Sequence, residues 1–198
     1  MPKHHIIYIT GLGDANAEGQ RKAVSTWRRF GVEPQLFQMN WIDREPFAPK
    51  LGRLVRLIDS LVAKGGKVSL VGVSAGGGVA LNAYAQRKSV ISGVVTVCGK
   101  FNYPQTVSPR LIAKNPAFGE SMAMVADSRT SLTPEDLRKV MSIYPLFDES
   151  VPAHEAKLAG THQKRVLSVG HVITIALMIS VRAATIIRFL KKQIKANN

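Results

Sequence analysis

A regular alternation of short apolar runs with helical patterns constrains the fold of this 198-residue chain more than any other feature. The short apolar runs are separated by stretches in which apolar residues recur at helical spacing. Strands that alternate with helices predict a parallel sheet, covered by helices on both faces and joined by right-handed crossovers. We therefore expect an α/β fold, with residues 1–198 in a single domain. The predicted strands are 5–10, 36–41, 68–73, 91–98, 140–147 and 165–169.

Local signals set several helix boundaries. Gly31 follows a helical pattern over 18–30 and is well placed to end that helix. Thr133 is the expected N-cap of a later helix, with Asp136 in the capping-box position. A single long helix is predicted for 172–195. Its first ten residues are nearly all apolar, but a spanning helix needs about 20 apolar residues, so we interpret it as a core helix packed on the sheet.

The pentapeptide Gly-Val-Ser-Ala-Gly at 72–76 is the most informative motif. It directly follows an apolar strand and directly precedes a helix of small residues, which is the setting of a nucleophile elbow. Ser74 would sit on a strained turn that projects its hydroxyl from the carboxyl edge of the sheet. Side chains at positions 72 and 76 would collide with the neighbouring strand and helix, which accounts for the two glycines.

Other interpretations of a glycine-rich turn are a plain strand–helix connection and a phosphate-binding loop. No Lys-Ser or Lys-Thr pair follows the motif, as a Walker loop requires, and the Gly-x-Gly-x-x-Gly spacing of a dinucleotide site is missing. The nucleophile elbow is therefore favoured.

A serine nucleophile needs a base, and the base needs an acid that orients it. Asp148 ends the strand 140–147, and His171 follows the strand 165–169. Both lie where a parallel strand gives way to a loop, at the same sheet edge as Ser74, so their side chains can converge. They are the predicted acid and base. The less favoured candidates are Glu149 and Asp127 for the acid, and His4, His5, His154 and His162 for the base.

Backbone donors must stabilise the negative charge that develops on a substrate carbonyl oxygen. The N–H of Ala75, which follows the nucleophile, is one expected donor. The loop after the first strand supplies the second, with the N–H of Leu12 as the natural candidate; a simple glycine-rich turn remains the alternative. Asp14, next to this loop, is expected to cap the following helix.

These motifs together resemble the α/β-hydrolase superfamily, in particular its small, nearly cap-less serine members such as minimal lipases and esterases. The resemblance implies a three-layer sandwich with a six-stranded parallel sheet of order 2-1-3-4-5-6 and a Ser74–Asp148–His171 triad. It also implies an oxyanion hole at Leu12 and Ala75, with no cofactor and no metal. The family's frequent His-Gly after the first strand is Thr-Gly here, and we expect the first strand of this chain to correspond to the third strand of larger members.

Residues 100–132 interrupt the alternation, at a place where such hydrolases commonly carry a lid or insertion. Phe118, Met122 and Met124 are candidates for an apolar wall that binds the acyl group of an ester or thioester. Filling of the core by these side chains is an equally open interpretation.

The net charge and the cysteine content limit the partners, cross-links and cellular location that can be expected. The net charge is +14, which can attract phosphate, nucleic acid or an anionic membrane, although the basic residues are scattered and can also serve only solubility. No nucleic-acid motif is present, so no specific nucleic-acid partner is expected. The single cysteine, Cys98, is expected to be a buried thiol and excludes an intrachain disulfide framework. With no signal peptide recognised, we expect a cytoplasmic protein.

Two further functions remain open on this sequence. One is a catalytically idle hydrolase scaffold that binds an anionic partner, either a lipid surface or nucleic acid. The other is a peptidase or carbon–carbon hydrolase on the same triad, because neither fold nor triad selects the bond that is cleaved.

Overall fold

Six parallel strands form one sheet in the computed structural model, which describes residues 2–102 and 106–196. The spatial order is β2-β1-β3-β4-β5-β6, and each neighbouring pair is parallel, so the predicted fold and strand order are confirmed. The strands are β1 (His4–Ile9), β2 (Glu33–Phe37), β3 (Lys67–Val73), β4 (Ile91–Val97), β5 (Val140–Phe147) and β6 (His162–Val169).

Helices cover both faces of this sheet. On one face, side chains of α2, α3 and α5 form a core with Ile7, Ile9 and Leu70. On the other face, α1, α8 and α9 pack against Ile6 and Tyr8. Successive strand residues therefore enter opposite cores, as the period of two requires. The helices are α1 (Glu18–Ser25), α2 (Phe47–Ala63), α3 (Ala75–Arg87), α4 (Pro109–Lys114), α5 (Pro116–Thr130), α6 (Pro134–Leu137), α7 (Ala153–Ala156), α8 (His171–Ile179) and α9 (Ala183–Ala196).

The two predicted helix boundaries are observed. Gly31 has φ 67° and ends the 3₁₀ turn Thr26–Phe30 that continues α1. Thr133 caps α6: its hydroxyl accepts the N–H of Asp136, and the Asp136 carboxylate accepts the N–H of Thr133.

The second strand lies a few residues earlier than the predicted 36–41. Met39 and Trp41 are fully buried, which produced the strand-like pattern, but they belong to a loop. Hydrogen bonds that involve side chains stabilise this loop, and they replace the backbone bonds of a strand. The Lys50 ammonium donates to the carbonyl of Met39, and the Trp41 indole donates to the carbonyl of Thr10. Pro34 lies inside β2, where an edge strand tolerates it.

The prediction of one long helix over 172–195 is wrong. The segment forms α8 and α9, whose axes differ by 63°. Two hydrogen bonds explain the break. The Trp27 indole N–H donates to the carbonyl of Ile179, and the Ser180 hydroxyl donates to the carbonyl of Ala176, one turn earlier in the helix. Within 2–102 and 106–196, no single helix is long and apolar enough to cross a membrane, whereas α8 and α9 together pass that test by length and composition.

Candidate active site

Ser74 occupies the sharp turn between β3 and α3. It is a half-buried residue with φ 51° and ψ −125°, a conformation that non-glycine residues rarely adopt. A Cβ on Gly72 would lie 2.2 Å from the carbonyl oxygen of Gly76, and a Cβ on Gly76 would lie 2.5 Å from that of Ile9. The backbones of strand, turn and helix thus approach so closely that only glycine is accommodated at 72 and 76. The strand–turn–helix setting predicted for this motif is observed.

Asp148 and His171 meet beyond the carboxyl ends of β5 and β6. The Nδ1 atom of His171 lies 2.8 Å from Oδ2 and 3.0 Å from Oδ1 of Asp148. Both side chains are nearly buried. The pairing proposed from their positions after two adjacent parallel strands is present in the structure.

Backbone groups hold the Asp148 carboxylate in place. The N–H groups of Ser150 and Val151 donate to Oδ1 at 2.9 Å and 2.7 Å. Burial by itself would raise the pKa of Asp148. The hydrogen bonds from His171, Val151 and Ser150 outweigh burial and keep the pKa of Asp148 below its usual value. The carboxylate is therefore charged at neutral pH and can fix the orientation of the imidazole.

Glu149 has a role that sequence reasoning did not find. Its two carboxylate oxygens accept the backbone N–H of His171 at 3.2 Å and 3.0 Å. His171 is the first residue of α8, where the N–H groups lack intrahelical acceptors and a negative charge is favoured. The acid next to Asp148 thus anchors the backbone that carries the imidazole.

A cavity of about 820 Å³ contains both Ser74 and His171 in its wall. Among the hydrogen bonds of the described residues, none joins the Ser74 hydroxyl to the His171 ring. In sites without substrate, nucleophile–base contacts are often longer than a hydrogen bond and shorten in the substrate complex.

Comparisons with known proteins place this fold in a structural class. No protein-family model and no curated protein matches the chain by sequence. Solved structures match along almost the whole length. One comes from work on LipS and LipT, two metagenome-derived lipolytic enzymes: the TM-score is 0.69 at 14% identity, over 96% of this chain and 94% of that one. The fold is that of the α/β-hydrolases.

Two further α/β-hydrolase structures are similar to the same extent. A structure from a study of carboxylesterases of Nitrososphaera gargenis gives a TM-score of 0.68 at 15% identity, over 98% of this chain and 92% of that one. Est1E from Butyrivibrio proteoclasticus gives 0.64 at 17% identity, over 98% and 89%. Identities this low show a shared fold.

The loop after β1 lies directly against the turn at Ser74. A Cβ on Gly11 would lie 2.8 Å from the Cβ of Ser74. Leu12 and Ala75 both line the cavity. Ala75 is the first residue of α3, so its N–H has no intrahelical acceptor. Within the described part of the chain, Leu12 N–H donates no hydrogen bond in its loop.

Asp14 stabilises this loop from behind. Its buried carboxylate accepts the Thr10 hydroxyl at 2.8 Å and the backbone N–H groups of Asn40 and Trp41 at 2.8 Å and 3.3 Å. The prediction that Asp14 caps the following helix is wrong, because Gly13 holds the cap position and Asp14 begins a 3₁₀ turn. Its carboxylate ties the loops after β1 and β2 together instead.

The cavity walls are mostly apolar. Ala23 of α1 and Val172, Ile175 and Ile179 of α8 form one side, and the other side includes Leu111 and Phe118.

The predicted apolar wall is only partly found there. Of the three candidates, Phe118 lines the cavity. Met122 and Met124 are not among its lining residues: Met122 is buried in the core beneath α5, and Met124 packs against that core. α5 itself is tied to α3, because the Asn82 amide donates to the carbonyl of Ser121. That residues 100–132 act as a lid stays a prediction.

Lys100 brings a buried cation to the cavity wall, a feature that sequence reasoning missed. Its ammonium group pairs with the Glu155 carboxylate and donates to the Thr106 hydroxyl at 2.8 Å. Burial lowers the pKa of Lys100. Its position three residues after β4, at the same sheet edge as Ser74, Asp148 and His171, was the signal in the sequence that could have identified it.

Cys98 is buried, as predicted, and has φ 51°. Its sulfur lies with a carboxylate oxygen of Asp148 and a ring nitrogen of His171 in a group whose atoms are within 4.8 Å of one another. Sulfur, nitrogen and oxygen donors of this kind suit zinc. Here Asp148 and His171 already bond to each other. Burial and the adjacent Asp148 raise the pKa of Cys98, which keeps the thiol protonated. That the protein uses no metal stays a prediction.

Proposed function

We propose that this protein hydrolyses carboxylic esters or thioesters, with Ser74 as nucleophile, His171 as base and Asp148 as the orienting acid. The observation that carries the proposal is the hydrogen-bonded Asp148–His171 pair, at the same sheet edge and in the same cavity as the strained Ser74 turn.

The geometry supports a two-step reaction. Because Nδ1 of His171 faces Asp148, Nε2 is the atom that takes the proton as Ser74 Oγ attacks the carbonyl carbon. The N–H groups of Leu12 and Ala75 stabilise the oxyanion of the tetrahedral intermediate. When that intermediate collapses, the proton passes to the leaving alcohol or thiol and an acyl-Ser74 ester remains. Water, deprotonated by His171, then releases the acid and regenerates the serine.

The choice of substrate class draws on the cavity and on the structural neighbours. The apolar walls favour a modest apolar acyl group, and Phe118 is the one of the three predicted wall residues that lines the cavity. The similar structures come from work on lipolytic enzymes and carboxylesterases. An uncharged small-molecule ester therefore agrees with the site better than a peptide.

Replacement of the nucleophile tests this function. We expect wild-type protein to hydrolyse short aryl esters and Ser74→Ala to lower kcat by about 10⁴-fold or more. A fluorophosphonate should label wild type but not the variant. Ser108→Ala is the matched control, because Ser108 also lines the cavity and should keep both activity and labelling. Near-full turnover by Ser74→Ala would show that the site lies elsewhere.

An ester panel and an acyl-CoA panel, each at low and high salt, separate the two substrate types. With a net charge of +14, steering of an anionic thioester should weaken as salt rises. Equal rates on both panels with no salt effect would rule out steering of anionic substrates by the positive charge of the protein.

A further inference from the structure

Six exposed apolar side chains lie near the carboxyl ends of β5 and β6 and in the first turn of α8. We call this surface the apolar rim. Within 2–102 and 106–196, it contains six of the nine large apolar side chains that are exposed, with exposed fractions from 43% to 77%. Its members are Leu146, Phe147, Leu167, Val169, Val172 and Ile173.

The rim residues lie on two paired strands and on the helix that follows them, and one of these residues also lines the cavity. Phe147 and Val169 are register partners across β5 and β6. Leu167 lies two residues before Val169 in β6, next to the register shift between the two strands, and is 77% exposed. Val172 is both exposed and part of the cavity wall, and Ile173 follows it in α8. A molecule seated on the rim would therefore lie at the entrance to Ser74.

Helix α8 itself indicates that this surface has an apolar partner. Seven of its nine residues are apolar, and the other two, His171 and Thr174, are buried. A helix that is apolar on all sides is normally buried. Here Val172, Ile173 and Ala176 are exposed. Exposed apolar patches of this kind mark interaction sites.

The charges around the rim select the partner. Lys164 and Arg165 are exposed on β6, and Arg182 is exposed at the other end of α8, next to exposed Val181. A second copy would bring the same cations together, and basic residues on an edge strand oppose edge-to-edge pairing. Of the two acids in this region, Asp148 is buried, and the exposed Glu149 accepts the backbone N–H of His171, so the three exposed cations outnumber the one exposed carboxylate. An anionic lipid surface supplies both the apolar interior and the opposite charge.

We propose that the apolar rim docks this protein onto an anionic lipid surface, with its exposed side chains inserted among the acyl chains and the cations of β6 against the headgroups. The mouth of the cavity then faces the bilayer. It follows, if the function proposed above holds, that the substrate is a lipid ester that enters past Val172 without crossing water.

Vesicle co-sedimentation tests the docking separately from catalysis. Wild type and Ser74→Ala should bind vesicles of phosphatidylcholine with phosphatidylglycerol equally, and should bind phosphatidylcholine alone more weakly. The double variant Leu167→Thr/Ile173→Gln should bind about tenfold or more weakly. Ile42→Gln is the matched control: Ile42 is 63% exposed but follows β2, at the opposite edge of the sheet, and its replacement should leave binding unchanged.

A second variant tests the charges. Lys164→Gln/Arg165→Gln should weaken binding to the anionic vesicles by about fivefold for each charge removed and should reduce its salt dependence. Circular dichroism and turnover of a soluble ester check that each variant folds.

Three results would overturn the proposal: wild-type protein that does not sediment with anionic vesicles, unchanged binding by the folded rim variant, or a dimer of wild type that the rim variant dissociates. The two proposals fail in different ways. Vesicle binding without ester turnover removes the hydrolase, and turnover of soluble esters without vesicle binding removes the docking.

Discussion

The backbone of Gly11 lies against the side chain of Ser74: a Cβ added to this glycine would be 2.8 Å from the Cβ of the serine and 3.5 Å from its hydroxyl oxygen. The loop that contains Leu12 is thus in contact with the turn at Ser74. In the proposed mechanism, the position of the Ser74 hydroxyl and the position of the Leu12 N–H therefore depend on each other.

Gly11→Ala should therefore lower kcat by about 10²-fold, because the added methyl group forces the loop and the serine apart and misplaces an oxyanion donor. The measurement is kcat on a soluble ester together with Tm. Gly19→Ala is the matched control: Gly19 also lines the cavity, but a Cβ there meets nothing within 4 Å. Its kcat should be unchanged. Full activity of folded Gly11→Ala would contradict the oxyanion assignment.

Asp148→Asn should lower kcat by about 10³-fold to 10⁴-fold, somewhat less than Ser74→Ala, because the amide no longer holds the imidazole in the required tautomer. Glu149→Gln provides the comparison. It removes the charge from the residue that bonds to His171 N–H but leaves the Asp148–His171 pair, and we expect a loss of about tenfold. Equal losses in the two variants would argue against Asp148 as the acid.

Asp14→Ala should destabilise the protein by about 2–4 kcal/mol, since the N–H groups of Asn40 and Trp41 lose a buried acceptor. Chemical denaturation measures the loss. Asp127→Ala, at an exposed site on α5, should change the unfolding free energy by no more than about 0.5 kcal/mol. A stability change for Asp14→Ala as small as that of the control would show that the tie between the two loops is dispensable.

Acidification should destabilise the fold through His4. Burial, with Lys191 and His5 nearby, lowers the pKa of His4 from 6.5 to about 4. Its Nε2 bonds to the Ser69 hydroxyl, and its buried Nδ1 has no partner within the described residues. Because the folded pKa lies below the unfolded one, the unfolded chain binds more protons between pH 6.5 and pH 4. The unfolding free energy should therefore fall as pH falls through that window.

The size of this effect is up to about 3 kcal/mol. Denaturant titrations across the window measure it. His4→Gln should flatten the dependence, whereas His162→Gln, at an exposed position, should leave it intact. An identical slope in His4→Gln and wild type would exclude His4 as the source. Asp148 acts in a separate window, because its lowered pKa makes its contribution disappear only as pH falls below the usual carboxylate range.

The parts of the fold that were predicted correctly depend on local patterns. The period of the apolar residues identified the strands, and the strand–glycine–serine–glycine–helix sequence located the turn at Ser74. The order of Asp148 and His171 after successive strands was sufficient to pair them, because parallel strands present their carboxyl ends at one edge. Errors arose where a group distant in sequence replaced a local hydrogen-bond partner. An example is the Trp27 indole, which donates to the Ile179 carbonyl where α8 ends.

By itself, the sequence determined the layers and the candidate residues Ser74, Asp148 and His171, because hydrophobic periodicity and the positions of the strand ends leave few alternatives. The strand order followed from the resemblance to the α/β-hydrolases. Only the tertiary structure decided what surrounds them: Glu149 on the backbone of His171, Asp14 behind the loop at Leu12, Lys100 in the cavity wall, and Met122 turned into the core. These roles depend on which residues, distant in sequence, are brought into contact at the carboxyl edge of the sheet. A buried polar group takes whichever partner the packed chain brings within hydrogen-bond distance, and residue order does not specify that partner.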